Sequence, residues 1–563
     1  MRKRIVVTGL GMVSPLGSNV EVSWRRLVSG DSGIVRMEEC IGLESLAVIL
    51  GVRPMITPNY DTFNRFEIRL YGDLFHSFTE TMTNLADEQV SSFCKEHALS
   101  DKFALWIAKY VKQLQRIFSG MNMFEYLKRC VTGDWANSGH NIAKFRLSHF
   151  RINEYLKWFN TNDPRIYEND SHDNIAYGIA SIAIEWLRRK WCSNMNYGDV
   201  HTCAATDLIG IDDQFSPYFT KWKNKVDRFV VYAMQASTEA LENSKLLYYD
   251  DLVRERVGVV IGSGIGGVRV VEENVYNLLT GKKSSPFFIP ACLINLASGH
   301  VAIEHKLFGP IDANVTACAS GGHSIINALR CIELDEADVV VAGGAESSLC
   351  TPAISGFAVM RALSRNQDPS KASRPWDKDR DGFVIGEGAG IVVLETLEHA
   401  QKRGAKILAE VINYGTSSDA YHISAPSPDA SGATRAIMKA VRGNVDKVQY
   451  INAHGTSTSI GDIMEIKALR NVFPALENIP ISSNKSAIGH MLGASASTEF
   501  IFTIKSLHDS YAPPTLNLDN PADECAGLNM VPHVAQKVDI YYALTNSFGF
   551  GGANMSILLK RWN

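Results

Sequence analysis

Two hydrophobic rhythms alternate along most of this chain. Short apolar runs without polar alternation occur at Arg4–Thr8, Val257–Gly264, Ala337–Gly344, Gly390–Glu395 and Val448–Gly455. Runs of this length, several ending on glycine, predict strands buried on both faces. The stretches between them carry apolar residues at helical spacing. Alternation of the two predicts an α/β architecture with helices covering the sheets. Residues 51–206 break the rhythm, being rich in aromatics, Asn and long polar side chains. Helical spacing at Phe103–Phe118 and Tyr177–Trp191 predicts a mostly helical inserted segment there. Val315–Leu329 and Leu544–Leu559 each run from an apolar strand into a Gly-Gly turn, an internal echo that suggests two related halves.

Composition adds limits rather than chemistry. The chain has 563 residues, 45% hydrophobic and 21% charged, which suits a globular protein with ample core. A formal charge of −4 gives no whole-molecule reason to expect nucleic acid. Ten cysteines without dense regular spacing predict reduced thiols in a reducing compartment rather than a disulfide framework. The basic start runs into an apolar stretch too short and glycine-broken for a signal peptide. No run reaches the roughly 18 apolar residues of a membrane span, and the longest candidate, Ile175–Leu187, is interrupted by Gly178, Ser181 and Glu185. A start directly on the first strand suggests bacterial cytoplasm. The segment after Ala420 keeps the mitochondrial matrix as the alternative.

Four motifs carry candidate chemistry. Cys318 lies between a strand and a helix with Ile325, Leu329 and Ile332 on one face. That layout predicts a thiol at a helix N-terminus, where unpaired N–H groups favour thiolate; a buried structural cysteine is the plainer reading. His454 follows an apolar strand and precedes Gly455, Thr456, Ser457 and Thr458. His490 follows Lys485 by five positions and precedes a small-residue helix start. A lone histidine is ordinarily a surface or core residue, and the setting of these two is what singles them out. Asn546–Ser556 surrounds two phenylalanines with glycines, so its backbone turns tightly or approaches another group closely, or else forms a glycine-rich hairpin.

Together these motifs resemble the elongating β-ketoacyl-acyl-carrier-protein synthases of the thiolase-like superfamily. The resemblance covers nearly all of residues 1–50 and 207–563, including Ser285–Asn295 and Ser373–Gly390. The order Cys, His, His sets the chain apart from initiating synthases, which carry Asn for the second His, and from thiolases, which use a second Cys. It implies a thiolase-like five-layered αβαβα fold of two related halves. Residues 1–50 and 207–395 would form the N-terminal half, 396–563 the C-terminal half, and 51–206 the insertion.

The same resemblance implies that Cys318 takes the acyl group and that His454 and His490 donate to the malonyl thioester. The N–H groups of Cys318 and Phe548 would form an oxyanion hole, with Phe548 also the gating phenylalanine. Lys485 would support the histidines, with Glu499 as its acidic companion, or the two form a plain ion pair. Thr456 and Thr458 would bind the pantetheine arm or cap a turn. Ile265 would gate the acyl pocket, Leu293 line it and Arg374 sit near its mouth, though Ile265, Leu293 and Phe548 also suit core positions. Implied partners are acyl- and malonyl-loaded acyl carrier protein and a second copy of the chain, with no redox cofactor. Lys221, Lys223, Lys225 and Arg228 are a candidate basic face for an acidic carrier, or a solvated surface.

Departures and rivals complete the reading. Between Arg36 and Asp227 lie 190 residues, roughly 150 more than the family needs and far beyond an ordinary loop. Cys192, His201 and Cys203 within this stretch lack the spacing of a familiar zinc site, so no metal is expected. Gly262–Gly267 satisfies GxGxxG after a strand, the signature of a nucleotide-binding oxidoreductase, but the acidic residue about 20 positions on is missing. A non-catalytic ketosynthase-like subunit is disfavoured by the presence of Cys318, His454 and His490 together. A polyketide ketosynthase shares the chemistry and differs in substrate.

Overall fold

The structure, a computed structural model, describes residues 3–36, 202–204, 222, 225–279 and 283–563. By contacts the chain divides into two compact units. One comprises Met1–Gly42, Asp199–Val275 and Ser284–Asn563, the other Leu43–Gly198 and Tyr276–Lys283. The helices expected at Phe103–Phe118 and Tyr177–Trp191, and nearly all of the 51–206 insertion, lie outside the described residues. So do Cys192, His201, Lys221 and Lys223. Within the first unit, Val35 and Arg36 pair antiparallel with Cys203 and Thr202, so the host fold hydrogen-bonds the entry of the long stretch to its exit. Cys203 is disulfide-bonded, a departure from the reduced thiols expected throughout; Cys292, Cys318, Cys331, Cys350 and Cys525 are free.

Ten strands build the large sheet of the first unit: β1 (Ile5–Val13), β2 (Val257–Gly262), β3 (Ile311–Asp312), β4 (Val339–Glu346), β5 (Gly388–Thr396), β6 (Ala409–Ser418), β7 (Tyr450–Asn452), β8 (Ile481–Ser482), β9 (Tyr542–Gly549) and β10 (Ala553–Arg561). Every residue of β1, β2, β4 and β5 is buried, which is why these runs lack polar alternation. The strand order is β8-β7-β9-β10-β6-β1-β5-β4-β2-β3. Read outward from the centre, the two halves of that order match strand for strand. In each, the second strand pairs parallel with the third and fourth, and the fifth is antiparallel to the fourth and first. The halves join where β1 and β6 pair over Ile5–Val7 and Ala409–Val411.

This topology corrects the internal echo while keeping the two related halves. Leu544–Leu559 is the β9–β10 hairpin, whose counterpart is β4–β5, not the segment around Cys318. Its glycines Gly551 and Gly552 have φ of +80° and +72° and turn the hairpin, whereas Gly321 and Gly322 lie inside a helix. A Cβ on Gly322 would come 3.1 Å from the Cβ of Ala496, so that pair serves close helix approach.

Helices complete five layers. α1 (Val20–Val28), α2 (Arg228–Ser244) and α3 (Leu296–His305) belong to the first half, and α5 (Ser431–Ala440) and α6 (Gly461–Val472) to the second. Between the two halves of the sheet run α4 (Ser320–Glu333), which follows β3, and α7 (Ser495–Asp509), which follows β8. The central helices are buried around most of their circumference and are rich in small residues near their starts. The outer α5 buries only a stripe at Gly432, Ala433, Ala436, Ile437 and Ala440. Three apolar clusters fill the spaces: α2 and α3 against the first half of the sheet, α5 and α6 against the second, and α4 with α7 between them. Among the described residues no helix is long and apolar enough to cross a membrane.

Candidate active site

Equivalent positions of the two halves converge on one place. Cys318 follows β3 and opens α4, His454 follows β7, and His490 lies between β8 and α7. All three thus come from the carboxyl ends of parallel strands, where α/β folds leave room for a ligand. Ala317, at φ +50°, turns the chain sharply into Cys318. Ser320 holds that turn: its hydroxyl accepts from the N–H of Thr316 at 2.9 Å and donates to the carbonyl of Ala317 at 2.7 Å.

The thiol is buried, and burial pushes its pKa up to about 11. Lys485 and the N–H groups of Phe550 and Cys318 pull the other way without overcoming desolvation. The resting group is therefore a thiol, which corrects the thiolate expected from a helix N-terminus alone. Alkylation by iodoacetamide, mapped to Cys318, should rise roughly tenfold per pH unit from pH 7 to 10 because only thiolate reacts. A plateau already at pH 8 would show a resting thiolate.

The two imidazoles face each other edge to face, ring centroids 5.4 Å apart. Nδ1 of His490 lies 2.9 Å from the Ser495 hydroxyl, and Nδ1 of His454 lies 3.4 Å from that of Ser547. Ser547 also donates to the carbonyl of Cys318 at 3.1 Å, linking the β9–β10 hairpin to the nucleophile turn. Anchoring through Nδ1 leaves Nε2 as the ring nitrogen for a substrate. Burial holds both pKa values well below the usual 6.5, with the charge of Lys485 adding to it, so both rings are neutral at pH 7. Lys485 is itself buried and ion-paired with Glu499, whose pKa burial raises to about 7. Glu465 of α6 accepts the N–H groups of His454 and Gly455 at 2.9 and 2.8 Å, setting the loop that carries the first histidine.

The remaining expected residues divide. The hydroxyls of Thr456 and Thr458 lie 3.0 Å apart on the loop after His454, and the N–H of Thr458 donates to Asp462 at 3.3 Å. Phe548 is corrected: the N–H facing Cys318 belongs to Phe550. Phe548 sits within β9 opposite Asn554, its ring edge-on to His454 at 5.8 Å, while Phe550 occupies the turn. The alternating strand aims residue 548 into the fold, and only the turn brings an amide back over the thiol.

Arg374 is corrected as well. It is 7% exposed, and its guanidinium is taken up by Asp377 at 3.0 Å and Asp519 at 3.2 Å, so it is a structural ion-pair hub rather than a substrate contact. Ile265 and Leu293 are 38% and 45% exposed in the single chain, not enclosed as pocket walls. Of the basic cluster, Lys225 rests 5.4 Å over the ring of Trp222. The GxGxxG turn does not present its amides to a pyrophosphate. Gly264 N–H donates to the Glu346 carboxylate at 2.7 Å, Gly266 N–H to Ser263 Oγ at 3.0 Å and Gly267 N–H to the carbonyl of Cys292 at 3.2 Å. A buried carboxylate there would repel a phosphate.

Sequence reading missed Ser547, Ser495, Glu465 and Phe550. Their partners are distant in the chain or separated by a turn whose shape no local pattern reveals. An acid on the buried face of α6 was the one signal available for Glu465.

Comparison with known proteins bears on the family and the fold. The family described as β-ketoacyl synthase, N-terminal domain, matches residues 2–49 and 178–400, and its C-terminal domain matches 408–519. A 3-oxoacyl-[acyl-carrier-protein] synthase 2 of Rhizobium meliloti is 49% identical over 398 residues, covering 69% of this chain and 92% of the relative. The protein of that name from Vibrio cholerae is 48% identical over 346 residues, covering 60% and 83%. Among solved structures, a β-ketoacyl synthase from Burkholderia phymatum superposes with a TM-score of 0.66 at 25% identity, covering 100% of both chains. A type II polyketide ketosynthase solved with its acyl-carrier protein gives 0.66 at 22%, again covering 100% of both chains, a likeness of fold alone.

Proposed function

The chain belongs to the β-ketoacyl synthase family, and from that premise we propose how its own residues carry out the condensation. It acts as an acyltransferase that elongates fatty acids on acyl carrier protein. Cys318 attacks the thioester of an acyl carrier protein, its sulfur bonding the acyl carbon as the carrier thiol leaves with the displaced proton. The N–H groups of Cys318 and Phe550 meet the oxyanion that forms. Malonyl carrier protein then enters and loses carbon dioxide. Neutral His454 and His490 turn Nε2 toward the thioester oxygen, which gathers the charge of the enolate. His490 donates from Nε2 with Ser495 on its Nδ1, and His454 does so once the Ser547 proton turns from the Cys318 carbonyl to its Nδ1. The carbanion attacks the acyl-Cys318 carbonyl, expels the thiolate and leaves a 3-oxoacyl carrier two carbons longer.

The observation that supports this best is the convergence of Cys318, His454 and His490, bridged by Ser547 and served by Lys485. Neutral histidines suit the role because an imidazole without charge keeps its N–H and gains strength as a donor only when negative charge develops. The test is intact-protein mass after mixing the chain with an acyl carrier protein thioester. A gain equal to the acyl group, mapped to Cys318, is expected; no gain in folded protein would favour a non-catalytic subunit.

A homodimer belongs to the same reading. The edge strand β3 is exposed, and Ile311, Val315, Ile289 and Leu293 on and near it are 51%, 57%, 57% and 45% exposed. An unpaired apolar edge of this kind invites another strand. A second copy would cover Leu293 and close the acyl pocket that one chain leaves open. Light scattering should give twice the 62.1 kDa chain mass, and a monomer would sink the dimer.

A further inference from the structure

Glu346 ends β4 with its carboxylate fully buried. Among the described residues it has no ion-pair partner; four hydrogen-bond donors hold it instead. One oxygen accepts the N–H groups of Gly264 at 2.7 Å and Gly493 at 3.0 Å. The other accepts the hydroxyls of Ser263 at 2.9 Å and Ser348 at 3.0 Å. Three of these donors come from two loops on opposite sides of the site, and Ser348 comes from the stretch just after Glu346 itself. Ser263 and Gly264 lead into Ile265 on the acyl side, and Gly493 lies three residues past His490 in the turn Leu492–Ala494.

The loops meet backbone to backbone at this carboxylate. A Cβ on Gly493 would fall 2.2 Å from the nitrogen of Gly264, and one on Gly264 would fall 3.3 Å from the carbonyl of Ala317, the residue before Cys318. The shared acceptor links the two loops directly, while His490 itself is also bridged to Val384 and Gly386 through its backbone. The turn that carries Cys318 is different, because Ser320 holds it without Glu346.

We propose that Glu346 is a positioning residue that locks the acyl-side loop Ser263–Gly266 to the His490-side turn, so that condensation depends on it far more than acylation does. The proposal rests on the reading of the site given above. The physical reason is that His490 acts only after the acyl group is in place, and its distance from the acyl carbonyl is set through the Gly493–Glu346–Gly264 link. A catalytic group displaced by about 1 Å loses on the order of 10²-fold in rate.

Three variants separate geometry from charge. Glu346→Gln keeps one oxygen for both glycine N–H groups and turns its amide N–H groups toward the serine oxygens, preserving the link without charge. Glu346→Asp keeps the charge and is too short to reach all four donors. Glu346→Ala removes both. Each is assayed by the rate of mass gain at Cys318 from acyl carrier protein and by single-turnover condensation of the acylated enzyme with malonyl carrier protein. In Glu346→Asp and Glu346→Ala, condensation should fall about 10- to 100-fold while acylation stays within about threefold. Glu346→Gln should recover condensation to within about threefold of the parent. Should Glu346→Ala fail to fold, the Asp and Gln pair still decides. Equal loss of both steps, no loss in any variant, or activity in Asp but not in Gln would each overturn the proposal. Failure of the parent chain to acylate Cys318 would instead overturn the reading of the site.

Discussion

Cys318→Ala should lower chain elongation by on the order of 10⁴-fold or more, the scale on which loss of a nucleophile acts in a covalent mechanism. The fold should survive, because the side chain removed is small and its turn is held by Ser320 through backbone groups. The variant should gain no acyl mass from an acyl carrier protein. Decarboxylation of malonyl carrier protein should persist, since the roles assigned to His454 and His490 in enolate formation do not require the thiol. Mass spectrometry for the first step and release of carbon dioxide for the second make the split visible. Acyl mass on the alanine variant would move the nucleophile elsewhere.

His490→Ala should divide the reaction at the other point. Removing one donor aimed at developing negative charge typically costs about 3–4 kcal/mol, hence roughly 10²- to 10³-fold in the step that uses it. Condensation should fall by that factor while acylation of Cys318 changes little. Both imidazoles are held neutral by burial and by Lys485, so the parent's condensation rate should not decline through pH 6.5 as an ordinary histidine titrates. Decline would begin only well below that pH, as the rings take up protons. Single-turnover rates measured across pH 5.5 to 7.5 would show this. Equal loss of acylation and condensation in His490→Ala would contradict the division of labour, and a midpoint near 6.5 in the parent would contradict the neutral pair.

The strands around Val257, Ala337, Gly390 and Val448 were legible because burial on both faces leaves a local mark, an apolar run of strand length. Cys318, His454 and His490 were legible for a related reason. Each sits where a strand hands over to glycine and small residues, and that transition is written in consecutive positions. The repeated-half architecture was visible only in outline. The two Gly-Gly motifs taken as its echo prove to be a helix start and a hairpin turn, because a glycine pair serves close packing in one place and positive φ in the other.

What the sequence by itself determined is therefore the set of buried elements and the candidates for reactive side chains, both of which depend on neighbours within a few residues. Tertiary structure decided where those side chains lie and what surrounds them. It brought Phe550 rather than Phe548 to the thiol, drew Arg374 into pairs with Asp377 and Asp519, and placed Ser547 between Cys318 and His454. It also reversed the expected ionisation of Cys318, since desolvation depends on everything that packs around the sulfur, whereas the helix start is a local feature. Partners 82 and 229 positions apart, as Gly264 is from Glu346 and Ser547 from Cys318, meet only after both halves of the sheet have closed over α4 and α7.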